Sequence, residues 1–178
     1  MNKKMKPFDR KPVSARLLCV LVFGLLVQTL VSCEDYKDCN SPVDTAFGMH
    51  FYQMNRADPA GDEPERDSTL PAVTFYPLDQ PDGDSLLLQG MAAREIFAPL
   101  NPHDSSTRFY LQPDSTMTTG DTLTVTYTLD LHFVSAGCGF THFYRLDTVT
   151  ATRHYIDSLA FTNRKINTTH AVNVKLYY

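Results

Sequence analysis

From Thr122 to Phe133 the chain alternates strictly. Leu123, Val125, Tyr127, Leu129, Leu131 and Phe133 fall on one side, and Thr122, Thr124, Thr126, Thr128, Asp130 and His132 on the other. Successive side chains of an extended chain point to opposite faces, so this run predicts a strand with one apolar and one polar face. Threonine is β-branched, and even the polar face therefore favours the extended backbone. Shorter versions recur at Phe47, Met49 and Phe51, at Thr107, Phe109 and Leu111, and at Val172, Val174, Leu176 and Tyr178. Ala72 to Leu78, Ser85 to Gln89, Phe140 to Val149 and Tyr155 to Phe161 read as further strands. One buried face and one wet face suit an antiparallel sheet laid over a core. About eight short strands predict an all-β fold, an antiparallel β-sandwich of immunoglobulin-like type, with a small barrel as the alternative.

The breaks in this pattern organise the chain. Residues 56–69, with Pro59, Gly61, Pro64 and five carboxylates, read as an exposed acidic loop. Arg94 to Pro102 shows no clear period, and Pro99 and Pro102 rule out a long helix there. Ser135-Ala136-Gly137-Cys138-Gly139 reads as a tight crossing of small residues.

The N-terminus is of another kind. Lys3, Lys4, Lys6, Arg10, Lys11 and Arg16 precede an apolar run of 15 residues, Leu17 to Val31. That run is shorter than the roughly 20 residues of a membrane span and fits the apolar helix of a secretory signal. Leu30-Val31-Ser32-Cys33 resembles a bacterial lipobox, in which the cysteine thiol takes a diacylglyceryl group through a thioether, the chain is cut before it, and the new amino group is acylated, typically with palmitate. The expected organisation is a signal peptide over 1–32, a short tether over 33–38, and one domain over 39–178. Several acyl chains on Cys33 exceed what stable anchoring needs.

Processing changes the charge. The chain has 178 residues, 16 Lys and Arg and 20 Asp and Glu; removal of the signal, with six of the former and one of the latter, leaves 146 residues at a net charge of −9. A surface this acidic argues against nucleic acid and against electrostatic binding to anionic lipid. The cysteines simplify as well. Cys19 leaves with the signal and Cys33 takes the lipid, which leaves Cys39 and Cys138. In an oxidising envelope these predict one disulfide; two separate buried thiols are the alternative.

Chemistry-bearing motifs are sparse. GxSxG, HExxH, paired CxxC, GxGxxG and the P-loop are all absent from the sequence. The expectation is therefore a protein that is not an enzyme and holds no cofactor. Asp130 and His132 share a strand face, and His142 or His154 from a neighbouring strand would complete a metal site; no two histidines share a ligand spacing, so no metal is expected. Adjacent aromatics recur at Phe51-Tyr52, Phe75-Tyr76, Phe109-Tyr110, Phe143-Tyr144 and Tyr177-Tyr178. On strands, one ring of each pair enters the core and the other faces out, where tyrosines can stack on sugars or meet a protein.

A third pattern is Asp followed by Ser or Thr. It occurs at eight of the 16 Asp residues, although Ser and Thr make up only 29 of 178 positions. In seven cases Ala, Thr, Leu or Val follows, with Thr45, Ser68, Ser85, Ser115, Thr122, Thr148 and Ser158 as the hydroxyl residues. This resembles the Bacteroidetes O-glycosylation sequon, and Ser68 in the acidic loop is the first candidate. Turn chemistry explains the same pattern, because Asp ends turns and Thr starts strands.

The stretch from Asp121-Thr122-Leu123 to Cys138-Gly139-Phe140, together with Ile156-Asp157-Ser158-Leu159 and Lys175-Leu176-Tyr177-Tyr178, resembles an uncharacterised Bacteroidetes lipoprotein family, a domain of unknown function. The lipobox and Cys39 belong to the same resemblance. It implies a Gram-negative envelope, an outer-membrane location at the periplasmic face or the cell surface, and an outer-membrane protein as partner. It supplies no catalytic residues. Glu34-Asp35 also resembles the acidic tract that sends some such lipoproteins to the surface; an ordinary acidic linker is the simpler reading. The function expected is a non-catalytic accessory or assembly partner of an envelope protein, with a surface glycan- or protein-binding module as the alternative.

Overall fold

The computed structural model describes residues 39–55, 65–79 and 87–178. The expected signal helix, Cys33 and its tether, Ser85 and most of the acidic loop lie outside the described residues. Residues Cys39–Tyr178 form one compact unit. Its strands are β1 (Phe47–Met54), β2 (Glu65–Asp67), β3 (Leu70–Pro77), β4 (Leu88–Ala93), β5 (Glu95–Ala98), β6 (Ser106–Gln112), β7 (Asp121–Ser135), β8 (Gly139–Ala151), β9 (Ser158–Phe161), β10 (Lys165–Ile166) and β11 (Val172–Tyr177). No helix occurs among the described residues.

The strands make two sheets. One has the order β10-β8-β7-β6-β3-β4; the other runs β2-β1-β11-β9, with β5 also paired to β1. β5 takes the Phe47–His50 part of β1 and β2 takes the Tyr52–Met54 part, so the two short strands share one edge. The alternating residues turn inward from both sheets: Phe47, Met49, Phe51, Val174 and Leu176 from one, and Phe75, Phe109, Leu111, Leu123, Val125 and Tyr127 from the other. Phe109 stacks on Phe75 within its sheet and on Phe47 across the gap, at 5.1 and 6.4 Å between ring centres. This is a β-sandwich, as the alternation predicts. Its likeness to immunoglobulin domains goes no further than two packed sheets.

Two features depart from the expectation. β1 and β11 pair in parallel, with Phe51 opposite Leu176, so the smaller sheet is mixed and not purely antiparallel. The strand count also exceeds eight, because β2, β5 and β10 have three, four and two residues and are too short to show a period. β2 falls inside the stretch read as an exposed loop: its Glu65, Arg66 and Asp67 pair with Met54, Gln53 and Tyr52. The stretch from Tyr155 yields a strand only from Ser158, because the residues before it wrap the Asp121 carboxylate.

Thr107 and Asp121 enter the core with their polar groups satisfied there. Thr107 is fully buried, and its Oγ1 is 2.7 Å from the Tyr127 hydroxyl, which donates to the Asn101 carbonyl at 2.8 Å. Asp121, also fully buried, accepts from the Thr152 hydroxyl and from the backbone N–H groups of His154, Tyr155 and Ile156, at 2.6 to 2.9 Å. Burial opposes its ionisation. The four donors outweigh burial and hold its pKa below the usual carboxylate value.

Candidate functional site

β7 and β8 form a hairpin of 15- and 13-residue strands that outruns the sandwich. Leu123, Val125 and Tyr127 are buried, but the same face continues into solvent at Leu131 and Phe133. Across the hairpin Leu131 opposes His142 and Phe133 opposes Phe140, so all these side chains share one face. Leu131, Phe133 and Phe140 are 59, 54 and 62% exposed, three of the four most exposed large apolar side chains among the described residues. The Phe133 and Phe140 rings meet edge to face at 5.2 Å. That contact covers only part of each ring, and the three side chains form an open apolar cluster of the kind that often marks a contact surface.

The turn of this hairpin carries Cys138. Its N–H donates to Ser135 Oγ at 3.1 Å, and Gly139 follows at φ +70°, where a side chain would be strained. Cys138 is disulfide-bonded to Cys39, with 4.6 Å between the α-carbons. From there the chain runs beside β8: the Thr141 hydroxyl donates to the Val43 carbonyl and the Thr45 hydroxyl to the His142 carbonyl. Val43 is itself exposed. The exposed tip and the point where the chain enters the sandwich are thus one place.

The histidines are not gathered. The His132 ring stacks on Phe143 at 4.2 Å on one face of the hairpin, while His142 lies beside Tyr144 on the other. His154 belongs to the loop around Asp121. No three His, Cys, Asp or Glu residues cluster in a metal-binding arrangement among the described residues. A hollow of about 330 Å³ beside that loop is lined by Thr116 to Thr119, His154 and Tyr155, with no carboxylate to orient the histidine.

Every aromatic pair splits as its strand position predicts: Phe51, Phe75, Phe109 and Tyr144 enter the core while Tyr52, Tyr76, Tyr110 and Phe143 face outward, and in the last pair Tyr178 packs against the core while Tyr177 is covered on the outer face. Tyr76 and Tyr110 lie 5.0 Å apart on the outer face of the larger sheet, next to the threonine rows of β7 and β8.

The outer face of the smaller sheet holds a cluster that the sequence conceals. Glu65 of β2 pairs with Lys175 and accepts from the Tyr177 hydroxyl at 2.5 Å. Lys175 also sits over the Tyr52 ring, 4.6 Å from its centre. Asp67 lies 2.9 Å from His50 Nε2 and 3.5 Å from Arg94. Burial, then the bond to Glu65, pushes the Tyr177 pKa up to about 12. The bonds from Lys175 and Tyr177 lower that of Glu65. The charges neutralise one another, which makes this a structural clasp holding β2 to β11 and β1. Its only trace in the sequence is Glu65-Arg66-Asp67, hidden among the other loop carboxylates.

The hydroxyl residues of the Asp-Ser/Thr pattern fall in different settings. Ser115 and Thr148 are exposed. Thr45, Thr122 and Ser158 are half-buried, as is Ser68, whose Oγ meets the Tyr178 hydroxyl. Asp121, the acidic partner of Thr122, is wholly occupied by its loop.

Over residues 72–178 the chain matches a family of unknown function, DUF6452, and it belongs to that family. The match omits β1, β2 and Cys39, although β1 sits between β11 and the β2/β5 edge and Cys39 closes the disulfide. No curated protein matches the chain, and no solved structure does.

Proposed function

We propose that this protein is a non-catalytic lipoprotein of the outer membrane, processed and acylated at Cys33, whose β-sandwich serves as an accessory or assembly partner of another envelope protein. The observation that supports this reading most is the place where the chain enters the sandwich. Cys39 is bonded to Cys138 in the turn of the longest hairpin. Only five residues separate it from the lipobox cysteine, a span of at most about 22 Å. A sandwich so tethered stays at the bilayer, within reach of a membrane-embedded partner.

The test is cross-linking of the tagged protein in its native membrane, followed by detergent extraction and mass spectrometry. The accessory reading expects one abundant outer-membrane protein in the eluate, lost when Cys33→Ala releases the chain. An eluate from the lipidated chain with no specific protein overturns it. A second reading, a surface module for glycan or protein, draws on the outward Tyr76–Tyr110 pair. Protease shaving of intact cells separates the two, since only a surface module is removed.

A further inference from the structure

We propose that the β7–β8 hairpin tip, through Leu131, Phe133 and Phe140, is a second membrane contact that dips into the lipid interface beside the anchor and fixes the orientation of the sandwich. The inference rests on the lipid anchor at Cys33 proposed above.

Three observations carry it. First, the tip is apolar by placement: the face that is core at Leu123, Val125 and Tyr127 continues past the end of the sandwich into Leu131 and Phe133, with Phe140 opposite. No other strand covers it among the described residues, because β10, the neighbour of β8, pairs only as far as Tyr144.

Second, the tip is close to where the lipid must be. Phe140 is two residues from Cys138, about 7 Å at most, and the α-carbon of Cys138 is 4.6 Å from that of Cys39. The six steps back to Cys33 add no more than about 22 Å. A hairpin with this attachment is held within reach of the bilayer that carries the acyl chains, so lipid is the occupant proposed for its apolar face.

Third, the charge is right for an uncharged contact. Between Leu129 and His142 there is no Lys or Arg, and Asp130 is the one carboxylate. Asp130 projects from the face opposite Leu131 and Phe133, so the apolar side carries no Asp, Glu, Lys or Arg, and His142 opposite Leu131 is its one ionisable side chain. Entry is therefore driven by apolar burial, with rings that sit well at the headgroup level, and needs no anionic lipid. Salt screens charge attraction but leaves such burial in place.

The absence of tryptophan from the chain supplies the test. Full-length lipidated protein carrying Phe140→Trp, or Phe133→Trp as a second tip reporter, is reconstituted in phosphatidylethanolamine vesicles doped with dibrominated phosphatidylcholine. Met91→Trp is the control. Met91 is 57% exposed and pairs with Val73, near the Asp121 end of the sheet and away from the tip. Flotation reports the anchor, and quenching reports the tip.

The expected result is that all three variants float and that both tip tryptophans, seated about 5–10 Å into the interface, are quenched at least about twofold more than the control, equally at low and high salt. Floating protein whose tip tryptophans are quenched no more than Met91→Trp overturns the tip contact and leaves the anchor standing. Protein that neither carries acyl mass nor floats overturns both.

Discussion

Cys39 and Cys138 are 99 positions apart in the chain and 4.6 Å apart at their α-carbons, so a single bond fastens the start of the sandwich to the turn of its longest hairpin. That bond does two things. It closes a long loop in the unfolded chain, and it fixes the exposed hairpin tip beside the entry point of the chain.

Cys138→Ser is expected to lower stability by about 2–5 kcal/mol, with roughly 4.7 kcal/mol as the chain-entropy figure for a loop of about 100 residues. Urea midpoints under non-reducing conditions measure this. With reductant present, wild type and variant should unfold together. An unchanged midpoint without reductant contradicts a stabilising bridge.

Asp121→Asn is expected to cost about 2–4 kcal/mol, because one carboxylate oxygen that accepts from Tyr155 and Ile156 becomes an NH2 group facing two other donors. The pH dependence has a definite sign. The folded pKa lies below the unfolded value of about 3.9, so the carboxylate's stabilisation is complete above that value and disappears as pH falls through the lower, folded one. The acid limb of a stability–pH curve should flatten in the variant. An equally steep limb in both proteins assigns the acid sensitivity elsewhere.

Gly48→Ala tests the tight seat of β1. A β-carbon at Gly48 would lie 2.5 Å from the Ala171 carbonyl oxygen and 2.7 Å from the Phe97 ring. The ring can turn, but the carbonyl belongs to the chain leading into β11, so the parallel pair must shift. A loss of about 1–3 kcal/mol is expected from thermal unfolding, and a neutral variant refutes the close approach.

If the Asp-Ser/Thr sites carry glycan, the modified residues among the described ones should be Ser115 and Thr148, which are exposed, and not Ser68, whose hydroxyl meets Tyr178. Peptide mapping of protein from its native host decides this. Glycan on Ser68 would show that modification precedes folding; native protein with only peptide and lipid mass rules the pattern back to turn chemistry.

Much of the sandwich was legible because alternation reports the face of a strand directly. β7, β6, β1 and β11 were readable from residues such as Leu123, Phe109, Met49 and Leu176, and the cysteine pair followed from elimination once two thiols were assigned to the signal and the lipid. Alternation does not report depth, however. Leu129, Leu131 and Phe133 continue the period of Leu123 without a break, yet the hairpin has left the core by Leu131. Strands of two to four residues show no period, which hid β2, β5 and β10. The parallel pairing of β1 with β11 and the role of Asp121 both depend on contacts more than 30 positions away, and neither leaves a local mark in the sequence.

Anchoring at Cys33 leaves its signature in the intact mass of the chain. Wild type and Cys33→Ala are extracted with detergent from the membranes of the native host and weighed whole. The expected wild-type chain begins at Cys33, heavier than its peptide by a diacylglyceryl and an acyl group and lighter by the two hydrogens of the disulfide, and the variant is uncleaved or soluble. A Cys33→Ala chain found in the membrane fraction at the normal mature mass would contradict that anchoring.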